Sequence, residues 1–167
     1  MRVYIAGPDV FRPDVQSWAE SVRALLSHHG HQALIPLDGK EVTATGIYRA
    51  NIEMIRSADA VLANLNPFRG HEPDSGTCFE VGFATALGKP VIGYVSDGKS
   101  QKEKIGHGDD HNPVDKEGLH IENFGLPLNL MLSIPCCIVV GDLAAAVTEL
   151  SPLTNSARHN STSRSDA

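Results

Sequence analysis

Several things are missing from this chain, and each absence removes a class of function. Lysine and arginine form no run and the formal net charge is −6, so no basic patch meets a nucleic-acid backbone or an anionic membrane. No apolar run reaches the roughly 20 residues of a membrane helix. No Gly-x-Gly-x-x-Gly follows the first apolar run, which removes the dinucleotide fingerprint. Gly82 and Gly88-Lys89 stand at the wrong interval for a phosphate loop, and Pro90 occupies the place of its Ser or Thr. There is also no Gly-x-Ser-x-Gly turn for a serine nucleophile.

Cysteine is scarce. Cys78, Cys136 and Cys137 make an odd count, and the last two are sequence neighbours with poor geometry for a disulfide. Free thiols in a reducing cytoplasm are expected. Cys78 stands near a predicted helix start, which favours a thiolate, but a small buried residue fits there as well. The apolar part of Met1-Arg-Val-Tyr-Ile-Ala-Gly-Pro8 is too short for a signal peptide and reads as a strand.

What is present describes one globular domain. With 167 residues and 41% hydrophobic content, the chain can build a proper core. Residues 1–150 are read as that domain. Residues 151–167, rich in Ser, Asn and Arg, are read as a disordered tail. Short β-branched runs at Arg2–Ala6, His31–Pro36, Ala58–Leu65, Pro90–Val95 and Pro135–Val140 predict strands. Helical spacing at Ser17–His28, Ile47–Ser57, Phe79–Gly88, Leu126–Leu132 and Leu143–Leu150 predicts helices between them. This alternation predicts a doubly wound α/β sheet of about five parallel strands with helices on both faces. Ligands in such sheets sit beyond the carboxyl ends of the strands, where Asn64 and Asn66 flank Leu65. Residues 96–125 lack periodicity and are too long for a plain connector, which predicts a functional loop or partial disorder.

The stretch from Asp74 to Pro90 carries the most chemistry. Two carboxylates, Asp74 and Glu80, flank the small residues Ser75, Gly76 and Thr77 ahead of a helical apolar pattern. With Thr77 as N-cap, Glu80 falls in the first turn, where the dipole and free N–H groups favour its ionised form. Thr77-x-x-Glu80 also fits a plain capping box. A carboxylate so placed, with a second close by, can act as a nucleophile at a sugar carbon. Tyr4 is either packed core with its hydroxyl at the rim or a phenol that holds Glu80. Asn51 is either an exposed helix residue or a ligand contact. His107, Asp109, Asp110 and His111 are metal-ligating types, but no helix sets their spacing, so solvated surface is the expectation and no metal site is assigned. His71 borders the carboxylate loop.

These pieces together resemble the nucleoside 2-deoxyribosyltransferase family. The matching residues are Tyr4-Ile-Ala-Gly-Pro8 with Phe11, Asn51-Ile-Glu-Met-Ile55, and Ala58 to Asn64. They continue through Leu65-Asn-Pro-Phe-Arg-Gly70, Asp74-Ser-Gly-Thr77 with Glu80, and Asn129-Leu-Met131, in family order over about residues 1–140. The resemblance implies a flavodoxin-like fold and cofactor-free exchange of nucleobases on 2-deoxyribose, in nucleotide salvage. It implies Glu80 as nucleophile, Tyr4 as the residue that holds it, and Asp74 as the base-contacting acid. Gly7, Phe11, Asn51, Asn64 and Gly76 become substrate-binding positions. Asn129 and Met131 become a segment lent to a neighbouring subunit, hence a homo-oligomer with shared sites. Some members carry aspartate where this chain has Asn51. Purine-only and broader base specificity both fit, as do several subunit numbers. Two alternatives stand beside this one. A nucleoside 5′-monophosphate N-glycosidase would need a phosphate cradle, with Arg12 and Arg69 as the available charges. A non-catalytic nucleotide sensor would need the crevice but no nucleophile.

Overall fold

Side chains alternate across a strand, and these strands are apolar on both alternations. In the computed structural model, which describes residues 1–108 and 111–150, they form one parallel sheet. Its strands are β1 (Arg2–Ala6), β2 (Gln32–Leu34), β3 (Ala60–Asn64), β4 (Val91–Val95) and β5 (Cys137–Val140). The order β2-β1-β3-β4-β5 is the flavodoxin-like one, as expected. The helices are α1 (Val15–His28), α2 (Ala44–Ser57), α3 (Ser75–Ala86), α4 (Gln101–Ile105), α5 (Leu130–Ser133) and α6 (Leu143–Thr148).

Parity decides which residues face which helices. Val3, Ile5, Leu62, Ile92 and Tyr94 pack with Val22 and Leu26 of α1 and Ala146 and Val147 of α6. Tyr4, Ala6, Val61, Ala63 and Val95 point the other way, against Ile55 of α2, Val81 and Ala84 of α3, and Leu132 of α5. Tyr4 therefore emerges on the α3 side because it is an even-numbered strand residue.

Several helix starts differ from expectation. Helix α3 begins at Ser75, not near Phe79, because Asp74 rather than Thr77 is its N-cap. Asp74 Oδ2 accepts from Thr77 N at 2.9 Å and from Thr77 Oγ1 at 3.0 Å. Aspartate is a stronger cap than threonine, and its short arm reaches the third N–H. No Thr77–Glu80 capping box forms, and Glu80 moves into the second turn. Helix α2 likewise starts earlier, at Ala44, under a Thr43 cap. The 96–125 stretch, expected as a functional loop or partly disordered, carries local structure where it is described. It holds α4, opened by a Ser100–Glu103 capping box, and two bridges that pair Val114 with His107 and His120. The expected helix over Leu126–Leu132 contracts to α5. The tail 151–167, and Asp109 and Asp110 of the histidine cluster, lie outside the described residues.

Leu62 is wholly buried at the centre of the sheet. Leu62→Ala should lower stability by about 3 kcal/mol, from lost burial plus the cavity left behind. Equilibrium denaturation should show a lower midpoint at unchanged slope.

Candidate active site

The segments after β1 and β2 and the facing sides of α2 and α3 enclose a cavity of 440 Å³. That volume suits a small-molecule ligand. A 3-10 turn, Pro8–Phe11, follows β1 and contributes Phe11 to the wall, with Gly7 just before it. Pro36, Leu37 and Glu41 come from the segment after β2, and Ile47 and Asn51 from α2. Helix α3 supplies Gly76, Thr77 and Glu80, and its cap Asp74.

Glu80 and Tyr4 meet at the cavity edge. The Tyr4 hydroxyl donates to Glu80 Oε1 at 2.6 Å, a charge-assisted bond when Glu80 is ionised. Tyr4 is fully buried below that hydroxyl, so the contact has a rigid base. Burial dominates the acidity of Glu80, pushing its pKa from the ordinary 4.5 up to about 7. The Tyr4 hydrogen bond pulls it down and the Asp74 charge pushes it up. This corrects the expectation that the helix terminus would favour the anion, because six residues beyond the cap the terminal dipole has faded. Burial, followed by the charge of Glu80, raises the Tyr4 phenol and keeps it protonated as a donor. Glu80 Oε2 takes no hydrogen bond among the described residues.

The remaining candidate residues divide into those at the cavity and those away from it. Phe11 is 60% exposed and stacks on Phe68 at 5.7 Å between centroids. Asn51 lines the cavity, and its Oδ1 is buried without a hydrogen-bond partner among the described residues. Gly7 permits close approach, since a Cβ there would sit 2.8 Å from Asn64 Cβ. Asn64 itself does not line the cavity. Its Nδ2 donates to Asp9 Oδ2 at 2.7 Å, and its Oδ1 accepts from Asn66 Nδ2 at 2.8 Å. Asn66 Oδ1 in turn accepts from Ser96 N at 2.8 Å. This polar chain joins the ends of β1, β3 and β4. Asn129 and Met131 lie at α5, outside this cavity, and Met131 is 73% exposed.

Both arginines considered as phosphate partners are engaged. Arg12 Nε and Nη2 each donate to Asp14 at 2.9 Å, and Arg69 lies over the Phe68 ring at 4.7 Å. Burial raises the Cys78 thiol, which suits packing rather than nucleophilic attack. His71 lines a separate cavity of 340 Å³ beyond β3 and β4, with Lys99 and Lys104. Among the described residues, no group of three or more metal-ligating side chains is gathered.

The model of the family described as nucleoside 2-deoxyribosyltransferase matches residues 3–131. The chain belongs to the nucleoside 2-deoxyribosyltransferase family. Proteins of this family act on nucleosides and nucleobases. A 2-deoxyribosyltransferase structure from Leishmania mexicana is 40% identical, with TM-score 0.77, over 90% of this chain and 97% of that one. A Clostridium botulinum CMP N-glycosidase shares the fold, with 14% identity and TM-score 0.52 over 91% of this chain and 99% of that one. An uncharacterized Schizosaccharomyces pombe protein is 31% identical over 113 residues, 62% of this chain and 54% of that protein. The chain thus spans about half the length of that curated relative.

Sequence reading missed Glu41 and Asp9, which sit at this family member's cavity and its β1 turn. Neither had a local signal. Glu41 lies in a segment without regular structure, and the partner of Asp9 is 55 residues away.

Glu80 should titrate with a midpoint near 7 by carbon-13 NMR of labelled glutamate. Tyr4→Phe removes the donor that favours the anion and should move the midpoint higher. Because the folded pKa is raised, stability is lost as pH climbs from 4.5 through about 7. Glu80→Gln should therefore raise the melting temperature at about pH 8 and barely change it at about pH 4. Equal shifts at both values would remove burial as the cause.

Proposed function

We propose that this protein exchanges the base of 2′-deoxyribonucleosides by double displacement through a covalent deoxyribosyl ester on Glu80. The observation that carries this reading is the Tyr4–Glu80 hydrogen bond at 2.6 Å, on the wall of a nucleoside-sized cavity. Tyr4 engages Oε1 and leaves Oε2 to attack C1′. The glycosidic C–N bond breaks, its electron pair leaves with the base, and a C–O ester bond forms. A nitrogen of the incoming base then attacks C1′ from the vacated side, and the ester electrons return to Glu80. Two inversions give net retention, the logic of retaining glycosidases with a base in place of water. Asp74, beside Glu80 at the cavity, exchanges the proton that the departing base gains and the arriving base loses. The chemistry needs no cofactor or metal.

The cavity walls suit the rest of a nucleoside. Phe11 offers a face for the base, purine or pyrimidine. The unpartnered Oδ1 of Asn51 accepts from a base N–H, relieving a buried acceptor that otherwise costs about 1–3 kcal/mol. The transition state resembles an oxocarbenium ion, which a 2′-hydroxyl destabilises by electron withdrawal, so deoxyribose is preferred. No lysine or arginine is among the described residues that line the cavity, so a neutral 5′-hydroxyl fits better than a 5′-phosphate. The open side of the cavity is closed by Asn129 and Met131 of a second copy. The exposure of Met131 and Ile134, at 73% and 72%, favours such a homo-oligomer, which helps keep water from the ester.

Deoxyinosine incubated with adenine should yield deoxyadenosine by chromatography. Glu80→Ala should lower that rate at least about a thousandfold, the scale of losing a nucleophile. Free deoxyribose without new nucleoside would instead mark a hydrolase.

A further inference from the structure

Helix α5 has four residues, too few to sustain itself by propagation, so its leading N–H groups need partners outside the helix. All of them have one. Leu130 N donates to Glu122 Oε2 at 2.8 Å, and Met131 N to Asn129 Oδ1 at 2.9 Å. Leu132 N and Ser133 N share Asn129 O at 2.9 and 3.0 Å. Asn129 Nδ2 donates to Glu122 Oε1 at 2.9 Å. One carboxylate thus grips both the cap side chain and the first helical N–H. Both ends of the Asn129 amide are used, so its orientation is set. Below, Leu128 and Leu132 are buried, and Ser133 Oγ donates to Leu128 O at 3.0 Å. Above, Met131 projects outward.

We propose that Glu122 is a positioning residue for the cavity of a neighbouring copy, acting through Asn129 and Met131. The proposal rests on the reading that those two residues complete a second copy's site. It adds the group that holds them in place. The surrounding loop has ties that do not involve Glu122. Ile121 N bonds Pro113 O at 3.0 Å, Gln101 N bonds Leu126 O at 3.0 Å, and Lys104 Nζ bonds Pro127 O at 3.0 Å. Losing Glu122 therefore loosens the Asn129 amide and the first turn of α5 while these other ties remain. A carboxylate is required because both partners are donors. Glutamine offers one acceptor oxygen and keeps only one of the two bonds.

Two measurements test this in the intact protein. In steady-state exchange, Glu122→Gln should raise the nucleoside KM by roughly tenfold and Glu122→Ala by more, the scale of losing charged hydrogen bonds. The Glu80 titration midpoint should not move in either variant. A KM equal to wild type in both overturns the proposal.

The second measurement mixes subunits. Glu80→Ala chains lack the nucleophile but lend an intact segment, and Glu122→Ala chains do the reverse. Co-expressed in equal amounts, about a quarter of the cavities pair an intact Glu80 with an intact lent segment. Assayed at nucleoside concentrations well below the Glu122→Ala KM, activity should recover to about that fraction of wild type. No recovery beyond the mean of the parents, while Glu80→Ala with Asn129→Ala does recover, overturns the proposal and leaves the shared site standing. No recovery in either mixture overturns both. The inactivity of Glu80→Ala alone, read beforehand, tests the nucleophile separately.

Discussion

The short hydrogen bond between Tyr4 and Glu80 is the contact around which this molecule is arranged. It joins an interior strand of the sheet to the helix that bears the acidic group, across 76 positions of sequence. A half-buried carboxyl so held is poised between its charged and neutral forms near neutrality. Desolvation alone would leave it an acid that seldom ionises. The phenol restores part of the anion's stability and fixes Oε1 as the oxygen it engages. Such preorganisation is provided by the fold rather than by the substrate.

The α3 terminus shows how one residue serves local structure and site together. Asp74 caps the helix through Oδ2 and lines the cavity that Glu80 borders. Capping explains why the helix begins at Ser75, and the early start explains why Glu80 lies a turn deeper than its spacing from Thr77 suggested. Burial raises the Glu80 pKa, and the nearby Asp74 charge adds to that rise. Local folding preference and site electrostatics are here two effects of the same side chain.

Most of the fold was legible because it is periodic. Apolar runs broken by Gly, Pro and Asp marked the five strands, and their alternation with helices implied a parallel sheet. Parity even places Tyr4 on the correct face. Boundaries failed where two caps competed, as with Asp74 and Thr77, since a Thr-x-x-Glu spacing imitates a capping box. The order inside 96–125 was not read, because α4 is only five residues long and the isolated bridges of Val114 with His107 and His120 leave no periodic trace. The cavity was partly visible through motif order. Asp9 was not, because its partner is 55 residues away, and Glu41 and Glu122 were not, because they lie in irregular segments with no periodic signal.

The polar chain from Asp9 through Asn64 and Asn66 to Ser96 has a mechanical consequence. It laces the ends of β1, β3 and β4 into a stiff rim on one side of the crevice. Across from it, residues 39–42 carry no regular structure, and Val42 stands 91% exposed. Compliance is therefore one-sided. Any breathing of the crevice falls on the segment after β2, while the laced ends of β1, β3 and β4 keep their spacing.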